Sequence, residues 1–366
     1  MPSPRNTHTN LSAEPAAAAG GPAVDSGAGS QASTAALARA YAAGTGDLPF
    51  ALPAGVRIQE VGPRDGFQLE PGVISTTDKI AIIDALSKTG VPAVQLTSFV
   101  RPDAVPQLSD GAQVMAGYSK SPGVQYSVLI PNLRGAQRAL EFDADVWELM
   151  LSSTDAHSIA NANRTTLEAF ERLRPVIALG LERGIDVVGG MATSLGCPFE
   201  GRPSFERVAS VVGLYADAGV RHVTLADTAG LADPAHVYSM SSRLMAAYPE
   251  VTITLHLHNT RGLGMANVLA GLAAGVTDYD SSIGGLGGCP YAPGATGNIA
   301  TEELVHLLAL LGIDTGVDLE ALVRIARGPV ATAVKHPLES AFEKADPSWV
   351  LHTPPTRQVL QPSAGT

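Results

Sequence analysis

Short β-like runs alternate with longer segments of helical period along this chain, from about Arg57 onward. The runs expected as strands are Arg57–Val61, Ala93–Thr97, Gln125–Ile130, Val146–Leu151, Ile185–Gly189, His222–Ala226, Thr252–His258 and Asp278–Ser282. Helical periodicity lies between them at Thr77–Thr89, Arg134–Glu141, Thr165–Arg183, Ser204–Ala218, Ala235–Ala247 and Leu263–Ala274. Eight strand–helix units in about 250 residues predict an α/β fold of the (β/α)₈ TIM-barrel type. A doubly wound open sheet is the alternative.

The predicted barrel occupies residues 51–352 and is flanked by two tails. Residues 1–50 are rich in Ala, Gly, Ser and Pro, and they bury too little apolar surface to offset the entropy of ordering. We expect this segment and residues 353–366 to be disordered. The stretch from Thr301 to His352 is expected to form additional C-terminal helices beside the barrel.

Charge, hydropathy and cysteine content exclude several classes of protein. The formal net charge of −11 argues against a nucleic-acid partner, because phosphate contacts require clustered Lys and Arg. No apolar run approaches the roughly 20 residues of a membrane span, so no membrane partner is expected. The two cysteines, Cys197 and Cys289, imply no disulfide framework and fit a reducing cytoplasm. The oligomeric state stays open, and a homodimer is one of the arrangements considered.

Two histidines, His256 and His258, end the apolar run 251–255. Residues at i and i+2 of a strand share a face, so the two imidazoles are expected to point the same way and can share one divalent ion. The alternative is a strand that carries one buried and one solvated histidine. Chemistry lies at the carboxyl ends of barrel strands, and this favours the shared ion.

Further polar residues follow the carboxyl ends of the predicted strands. They are Asp65 after the first strand, Thr97 at the end of the second, Asn132 after the third and Asp227 after the sixth. In a closed barrel these ends form one rim, so groups distant in sequence converge on one pocket. Arg64 lies beside Asp65 in a turn rich in Gly and Pro, where the carboxylate suits a metal ion and the guanidinium suits a developing negative charge. The alternative is a surface ion pair.

The segment from Ser281 to Asn298 is rich in glycine and contains Cys289. Such a loop can approach a ligand closely and can open and close, and a thiol at its tip can act as an acid or base. A structural loop with an incidental thiol is the alternative. The amide oxygen of Asn298 suits either a metal ion or a hydrogen bond near the following helix start. Histidine, aspartate and amide ligands together favour Mg²⁺ or Mn²⁺ over structural zinc.

Several blocks of the sequence resemble the 3-hydroxy-3-methylglutaryl-CoA lyase family, within the wider group of metal-dependent lyases and synthases on TIM barrels. The blocks are residues 60–66 (EVGPRDG), 97–100 (TSFV), 105–107 (VPQ), 195–201 (LGCPFEG) and Gly285 through Glu302. The resemblance extends from about Arg57 to Ile325 and includes the glycine-rich loop with its cysteine.

The resemblance implies an acyl-CoA substrate, a divalent metal ion, Mg²⁺ or Mn²⁺, and retro-Claisen carbon–carbon cleavage. By position, the metal ligands would be Asp65, His256, His258 and Asn298, the catalytic residues Arg64, Cys289, His256 and Asp227, and the substrate-binding residues Arg64, Gln95, Thr97, Asn132 and Glu302. In this assignment Arg64 polarises the thioester carbonyl and stabilises the enolate, and Cys289 takes part in proton transfer.

The chain also departs from the family pattern beside the pocket. Gln95 stands where the family usually has a glutamate, and because glutamine cannot titrate, any acid–base or charge-pairing role at that position is expected to be lost. Asn259 replaces an aspartate after the histidine pair, and residues 152–158 are unlike the common form. A lyase for citramalyl-CoA or a branched analogue, a condensing synthase and a non-catalytic acyl-CoA-binding protein are therefore the alternatives.

Overall fold

The computed structural model describes residues 48–288 and 297–345, which form a closed barrel of eight parallel strands in chain order. The strands are β1 Arg57–Glu60, β2 Ala93–Ser98, β3 Gln125–Leu129, β4 Val146–Ser152, β5 Asp186–Ala192, β6 His222–Ala226, β7 Thr252–His256 and β8 Asp278–Ser281. The barrel closes through β1 and β8, which pair Arg57 with Asp278 and Glu60 with Ser281. The predicted TIM barrel is confirmed, and the open sheet is excluded because each of these strands pairs on both sides.

At least one α-helix follows every strand. The helices are α1 Thr76–Leu86, α2 Gly111–Gly117, α3 Leu133–Ala139, α4 Asp155–Ala162, α5 Thr166–Glu182, α6 Phe205–Asp217, α7 Pro234–Ala247, α8 Gly264–Ala274, α9 Thr301–Leu310, α10 Leu319–Ile325 and α11 Ala331–Val334. The six helices predicted from periodicity are confirmed with shifted ends. Helix α9 belongs to the eighth unit, and α10 and α11 are additional. Among the described helices, none is long and apolar enough to cross a bilayer.

Apolar side chains fill the layer between the barrel and its helices. Trp147 on β4, Phe170 on α5 and Tyr215 on α6 are completely buried there, and the last two rings pack edge to face with centroids 5.6 Å apart. Burial of each such side chain stabilises the folded state by about 1.5–3 kcal/mol. The start of α5 is fixed locally, because the Thr165 side chain accepts from the Glu168 N–H and the Glu168 carboxylate accepts from the Thr165 N–H.

The inside of the barrel is polar, where barrels of this type are mostly filled by branched apolar side chains. Its inward-facing side chains include Gln59 on β1, Gln95 on β2, Glu148 on β4 and Asp280 on β8, all of them buried. Buried polar groups cost free energy unless they are hydrogen-bonded. This set lies directly below the carboxyl ends of the strands, so it supports whatever binds there.

Candidate active site

A single π-helical turn, Gly62–Gly66, places Arg64 and Asp65 at the carboxyl end of β1. The carbonyl of Val61 accepts from the backbone N–H groups of Arg64, Asp65 and Gly66. Such wide turns are frequent at functional sites. Both side chains are buried, and an Nη1 hydrogen of Arg64 donates to Oδ1 of Asp65. The turn therefore points a paired cation and anion into the barrel mouth.

The two histidines lie opposite this turn. His256 is the last residue of β7, and His258 follows in an isolated bridge with Asn298. Their Nε2 atoms are 3.2 Å apart, and Nε2 of His256 is 3.7 Å from Oδ2 of Asp65. The expectation that the two imidazoles point the same way is met, although the strand ends two residues earlier than predicted.

Asn298 joins this group from the far side of the glycine-rich segment. Its Nδ2 donates to Oδ2 of Asp65 at 2.8 Å and to the Leu286 carbonyl at 3.0 Å. Its Oδ1 is buried and has no hydrogen-bond partner among the described residues. A Cβ at Gly287 would lie only 2.6 Å from Asn298 Nδ2, so the amide can occupy this position only because residue 287 is glycine.

The residues present fit a metal ion. One ligand atom each from Asp65, His256 and His258 lies within 4.8 Å of the others. Two Nε2 lone pairs cannot face one another without a proton or a cation between them, and the unpaired Oδ1 of Asn298 supplies a further oxygen. The set of two imidazoles, a carboxylate and an amide suits a divalent ion that retains open positions.

The charges at the site also favour a cation there. Burial opposes ionisation of Asp65, but the adjacent Arg64 charge, with His256 and His258, holds its pKa at about 2. Burial, reinforced by His256, lowers the pKa of His258 to about 4, so this imidazole is neutral and free to ligate. For His256, the hydrogen bond to Asp280 and the Asp65 charge outweigh burial and raise the pKa. Asp280 and Asp65 therefore favour positive charge at His256.

Arg64 is also held from below. Its Nε donates to Oε1 of Gln95, and Nε2 of Gln95 donates to Oε2 of Glu148 at 2.5 Å. Nε2 of Gln59 donates to Oε1 of Glu148 at 2.8 Å. Burial and the nearby Asp280 raise the pKa of Glu148, against the hydrogen bonds it receives and the Arg64 charge. Since both of its oxygens accept an amide N–H, the geometry fits the ionised carboxylate.

Known proteins are similar to this chain in sequence over most of its length. A family model described as HMGL-like matches residues 55–328. The mitochondrial hydroxymethylglutaryl-CoA lyase of Macaca fascicularis is 42% identical over 272 residues, which are 74% of this chain and 84% of that protein. The chain belongs to the HMGL-like family. The hydroxymethylglutaryl-CoA lyase YngG of Bacillus subtilis is 40% identical over 280 residues, covering 76% of this chain and 93% of YngG.

Solved structures of this family share the fold. An HMG-CoA lyase from Acinetobacter baumannii, in complex with coenzyme A and 3-methylmalate, superposes with a TM-score of 0.78 at 41% identity, over 82% of this chain and 98% of that chain. The carboxyl transferase domain of Rhizobium etli pyruvate carboxylase (Y628A, with pyruvate) gives a TM-score of 0.60 at 18% identity and shares the fold alone. The resemblance to the 3-hydroxy-3-methylglutaryl-CoA lyase family is confirmed.

Two predicted substrate-binding residues lie away from this cluster of polar groups. Asn132 is exposed and is the N-cap of α3, where its Oδ1 accepts from the Gly135 N–H at 3.0 Å. Thr97 follows a register shift in β2. Its side chain lies against Gly111 at the start of α2, and a Cβ at Gly111 would come within 2.8 Å of Thr97 Oγ1. Their part in substrate binding stays a prediction.

Asp227 and Glu302 are completely buried and hydrogen-bonded to backbone. Asp227 accepts from the Leu231 N–H at 2.7 Å, and Glu302 accepts from the Gly284 N–H at 3.1 Å. In the structure both carboxylates thus stabilise loops at the carboxyl end of the barrel. Cys289 lies outside the described residues, and its role stays a prediction from the sequence.

The residues that support the site from below are not among those predicted from the sequence. Asp280 Oδ2 lies 3.1 Å from Nδ1 of His256, and Glu148 and Gln59 complete the hydrogen bonds under Arg64. A signal was available for Glu148, because it is an acidic residue inside a strand that is otherwise mostly apolar. Such residues are rarely buried without a partner, so its position alone indicates a polar interior.

Two buried carboxyl groups near the site make stability depend on pH. Burial is the main cause that raises the pKa values of Glu60 and Glu302 from 4.5 to about 7. The folded state therefore keeps protons that the unfolded state has released, and the unfolding free energy falls as the pH rises from about 4.5 to about 7. Each of the two groups contributes about 1.4 kcal/mol per pH unit to this fall in the unfolding free energy. Glu302→Gln should remove one of the two contributions.

Denaturant unfolding between about pH 5 and pH 7 measures this slope. The control is Glu182→Gln on the exposed surface of α5, which should keep the wild-type slope. Equal slopes for wild type and Glu302→Gln would contradict the prediction.

Proposed function

We propose that this protein is a metal-dependent carbon–carbon lyase that cleaves 3-hydroxy-3-methylglutaryl-CoA to acetoacetate and acetyl-CoA. The observation that carries the proposal is the convergence of Asp65, His256 and His258 beside Arg64 at the barrel mouth. Membership of the HMGL-like family supports it, as do the names of the relatives in that family.

The proposed cofactor is Mg²⁺ or Mn²⁺, held by Asp65, His256, His258 and Asn298. A divalent ion bound there would polarise the hydroxyl and carboxylate oxygens of the substrate and lower the pKa of the hydroxyl. The protein's own part is to fix these ligands. Asp280 does so for His256, because a hydrogen bond to Nδ1 leaves Nε2 directed at the site.

Arg64 is the proposed stabiliser of the negative charge that develops on the thioester oxygen. Carbon–carbon cleavage leaves the enolate of acetyl-CoA, and its oxygen needs a donor that is already in place. In the described part of the chain, the hydrogen bonds of Arg64 use Nε and Nη1. Its Nη2 end is therefore available to the substrate.

Asp227 is the proposed acceptor of the hydroxyl proton. It follows β6 directly, and its backbone N–H donates to the His256 carbonyl at 2.9 Å, so it lies beside the end of β7. Burial raises its pKa to about 6, near the range in which a general base works at neutral pH. Cys289 is the proposed participant in protonation of the enolate, on the basis of the family resemblance.

A thioester panel tests the proposal. The metal-free protein should be inactive with 3-hydroxy-3-methylglutaryl-CoA, and added Mg²⁺ or Mn²⁺ should restore release of acetyl-CoA and acetoacetate. The same assay with citramalyl-CoA and longer branched analogues tests the neighbouring substrate class, which Gln95 and Asn259 motivate. Turnover of citramalyl-CoA alone would replace the proposed substrate, and binding without turnover of any thioester would refute a lyase.

A further inference from the structure

A hydrogen-bonded floor of three side chains, Gln59, Gln95 and Glu148, lies beneath the candidate site. Gln95 connects the floor to Arg64. Gln59 connects it to Asp280, the partner of His256, through a longer contact of 3.4 Å between Gln59 Nε2 and Asp280 Oδ1. All three side chains are at least nine-tenths buried. Gln59 and Asp280 also line a cavity of about 310 Å³ at the opposite mouth of the barrel. The floor therefore separates the site from that cavity.

The chemistry of the end groups fixes the direction of every hydrogen bond in the floor. Arg64 Nε can only donate, and the two oxygens of Glu148 accept from the amide N–H groups of Gln59 and Gln95. The amide of Gln95 lies between them, so its oxygen must face Arg64 and its NH₂ must face Glu148. The reversed amide would place donor against donor and acceptor against acceptor. Glu148 thus holds Gln95 in the orientation that presents its oxygen to the guanidinium.

We propose that Glu148 is a positioning residue for Arg64, acting through Gln95. This inference rests on the proposed function, in which Arg64 faces the thioester oxygen. Gln95 holds the Nε edge of the guanidinium and Asp65 holds Nη1, so the plane of the group is fixed on two sides. Gln95 itself gives Arg64 a neutral partner, as expected, and the carboxylate that Gln95 contacts is Glu148 on β4, two strands away in the barrel.

A neutral partner for Arg64 has a chemical consequence. The amide oxygen of Gln95 orients the guanidinium without cancelling its charge, so more of that charge remains for the substrate. A carboxylate at position 95 would touch both Arg64 and Glu148. Two buried carboxylates in contact cannot both ionise, and they would have to share a proton.

The carboxylate and the amide should be exchangeable as a pair but not singly. In Gln95→Glu/Glu148→Gln, the new glutamine can accept from Gln59 and donate to the new glutamate, which accepts from Arg64. Every hydrogen bond of the floor is then satisfied again. In Glu148→Gln alone, the new NH₂ faces the NH₂ of either Gln59 or Gln95, so one amide must turn over. In Gln95→Glu alone, two carboxylates meet.

The test measures kcat and KM for Gln95→Glu, Glu148→Gln, Glu148→Leu and the exchanged double variant, with Glu182→Gln as a surface control. We expect each single floor variant to lose about 10- to 100-fold in kcat, with little change in Mn²⁺ affinity by calorimetry. The exchanged variant should recover at least half of that loss on a logarithmic scale. Because Glu148 acts through Arg64, Glu148→Gln should lower kcat no further in an Arg64→Met background.

Three results would overturn the inference. They are an unchanged kcat in Glu148→Gln, no recovery in the exchanged variant, and multiplicative losses when Glu148→Gln is combined with Arg64→Met. Melting temperatures of the same set provide a readout that does not need turnover, since Gln95→Glu should destabilise and the exchanged pair should recover. If the wild type cleaves no thioester, the proposed function fails while this thermal cycle still decides whether positions 95 and 148 are coupled.

Discussion

Asp65→Ala is expected to abolish both metal binding and turnover while the barrel still folds. Asp65 is the one anionic side chain among the proposed ligands, and its low pKa keeps it charged throughout the neutral range. Without it, a divalent ion loses its strongest electrostatic partner. Since the ion would supply several kcal/mol of transition-state stabilisation, kcat/KM should fall by about 10³-fold or more. Calorimetry with Mn²⁺ and the thioester assay measure the two effects.

A second variant and a surface control separate this effect from damage to the fold. In Asp65→Ala the buried guanidinium of Arg64 loses its ion-pair partner, so some loss of stability is expected as well. His256→Ala removes a ligand without that consequence for Arg64 and should give the same loss of metal and activity. Asp103→Ala removes an exposed aspartate from a surface ion pair and should change neither. Retained activity in Asp65→Ala or His256→Ala would contradict the assigned site.

The barrel was predictable because its strands are buried on both faces and its helices are amphipathic. The errors in the predicted strands and helices have local causes. The strand predicted as Ile185–Gly189 continues to Ala192, with Gly189 and Gly190 inside β5. A Cβ at Gly189 would come within 2.7 Å of the Tyr215 ring, so the glycine marks a helix packed closely on the strand. Helices α2 and α4 were not predicted, because α2 begins and ends with glycine and α4 has a single large apolar residue, Ile159, which is exposed.

The rim of the site was predictable and the layer beneath it was not. Asp65, His256, His258 and Asn298 lie at strand ends or follow turn residues, where a polar side chain stands out from an apolar run. Gln59, Glu148 and Asp280 lie inside strands, and their meaning depends on which strands become neighbours across the barrel. The hydrophobic periodicity of the sequence does not show which side chains meet inside the barrel. The glutamine at position 95, where the family usually has a glutamate, was visible in the sequence. Its hydrogen-bond partner Glu148 on β4 was not.

Arg64→Met is expected to separate catalysis from metal binding. Methionine has a similar length and no charge, so the variant loses the proposed contact with the enolate oxygen while the ligands remain. Removal of one such preorganised donor costs about 10²–10³ in kcat. Mn²⁺ affinity should stay the same or increase, because a positive charge beside the ion has been removed. Arg174→Met, which removes an arginine from an exposed ion pair on α5, is the matched control.

Arg64→Lys distinguishes charge from geometry at the same position. Lysine keeps the charge, but it cannot donate to Gln95 and Asp65 at once with a planar group aimed at the substrate. If the fixed plane of the guanidinium matters, Arg64→Lys should recover little of the kcat lost in Arg64→Met, and KM should change less than kcat. Full recovery by lysine would mean that charge alone suffices, and the floor beneath Arg64 would then have no positioning to do. The kcat of Arg64→Lys is thus the measurement that joins the proposed chemistry to the hydrogen bonds below it.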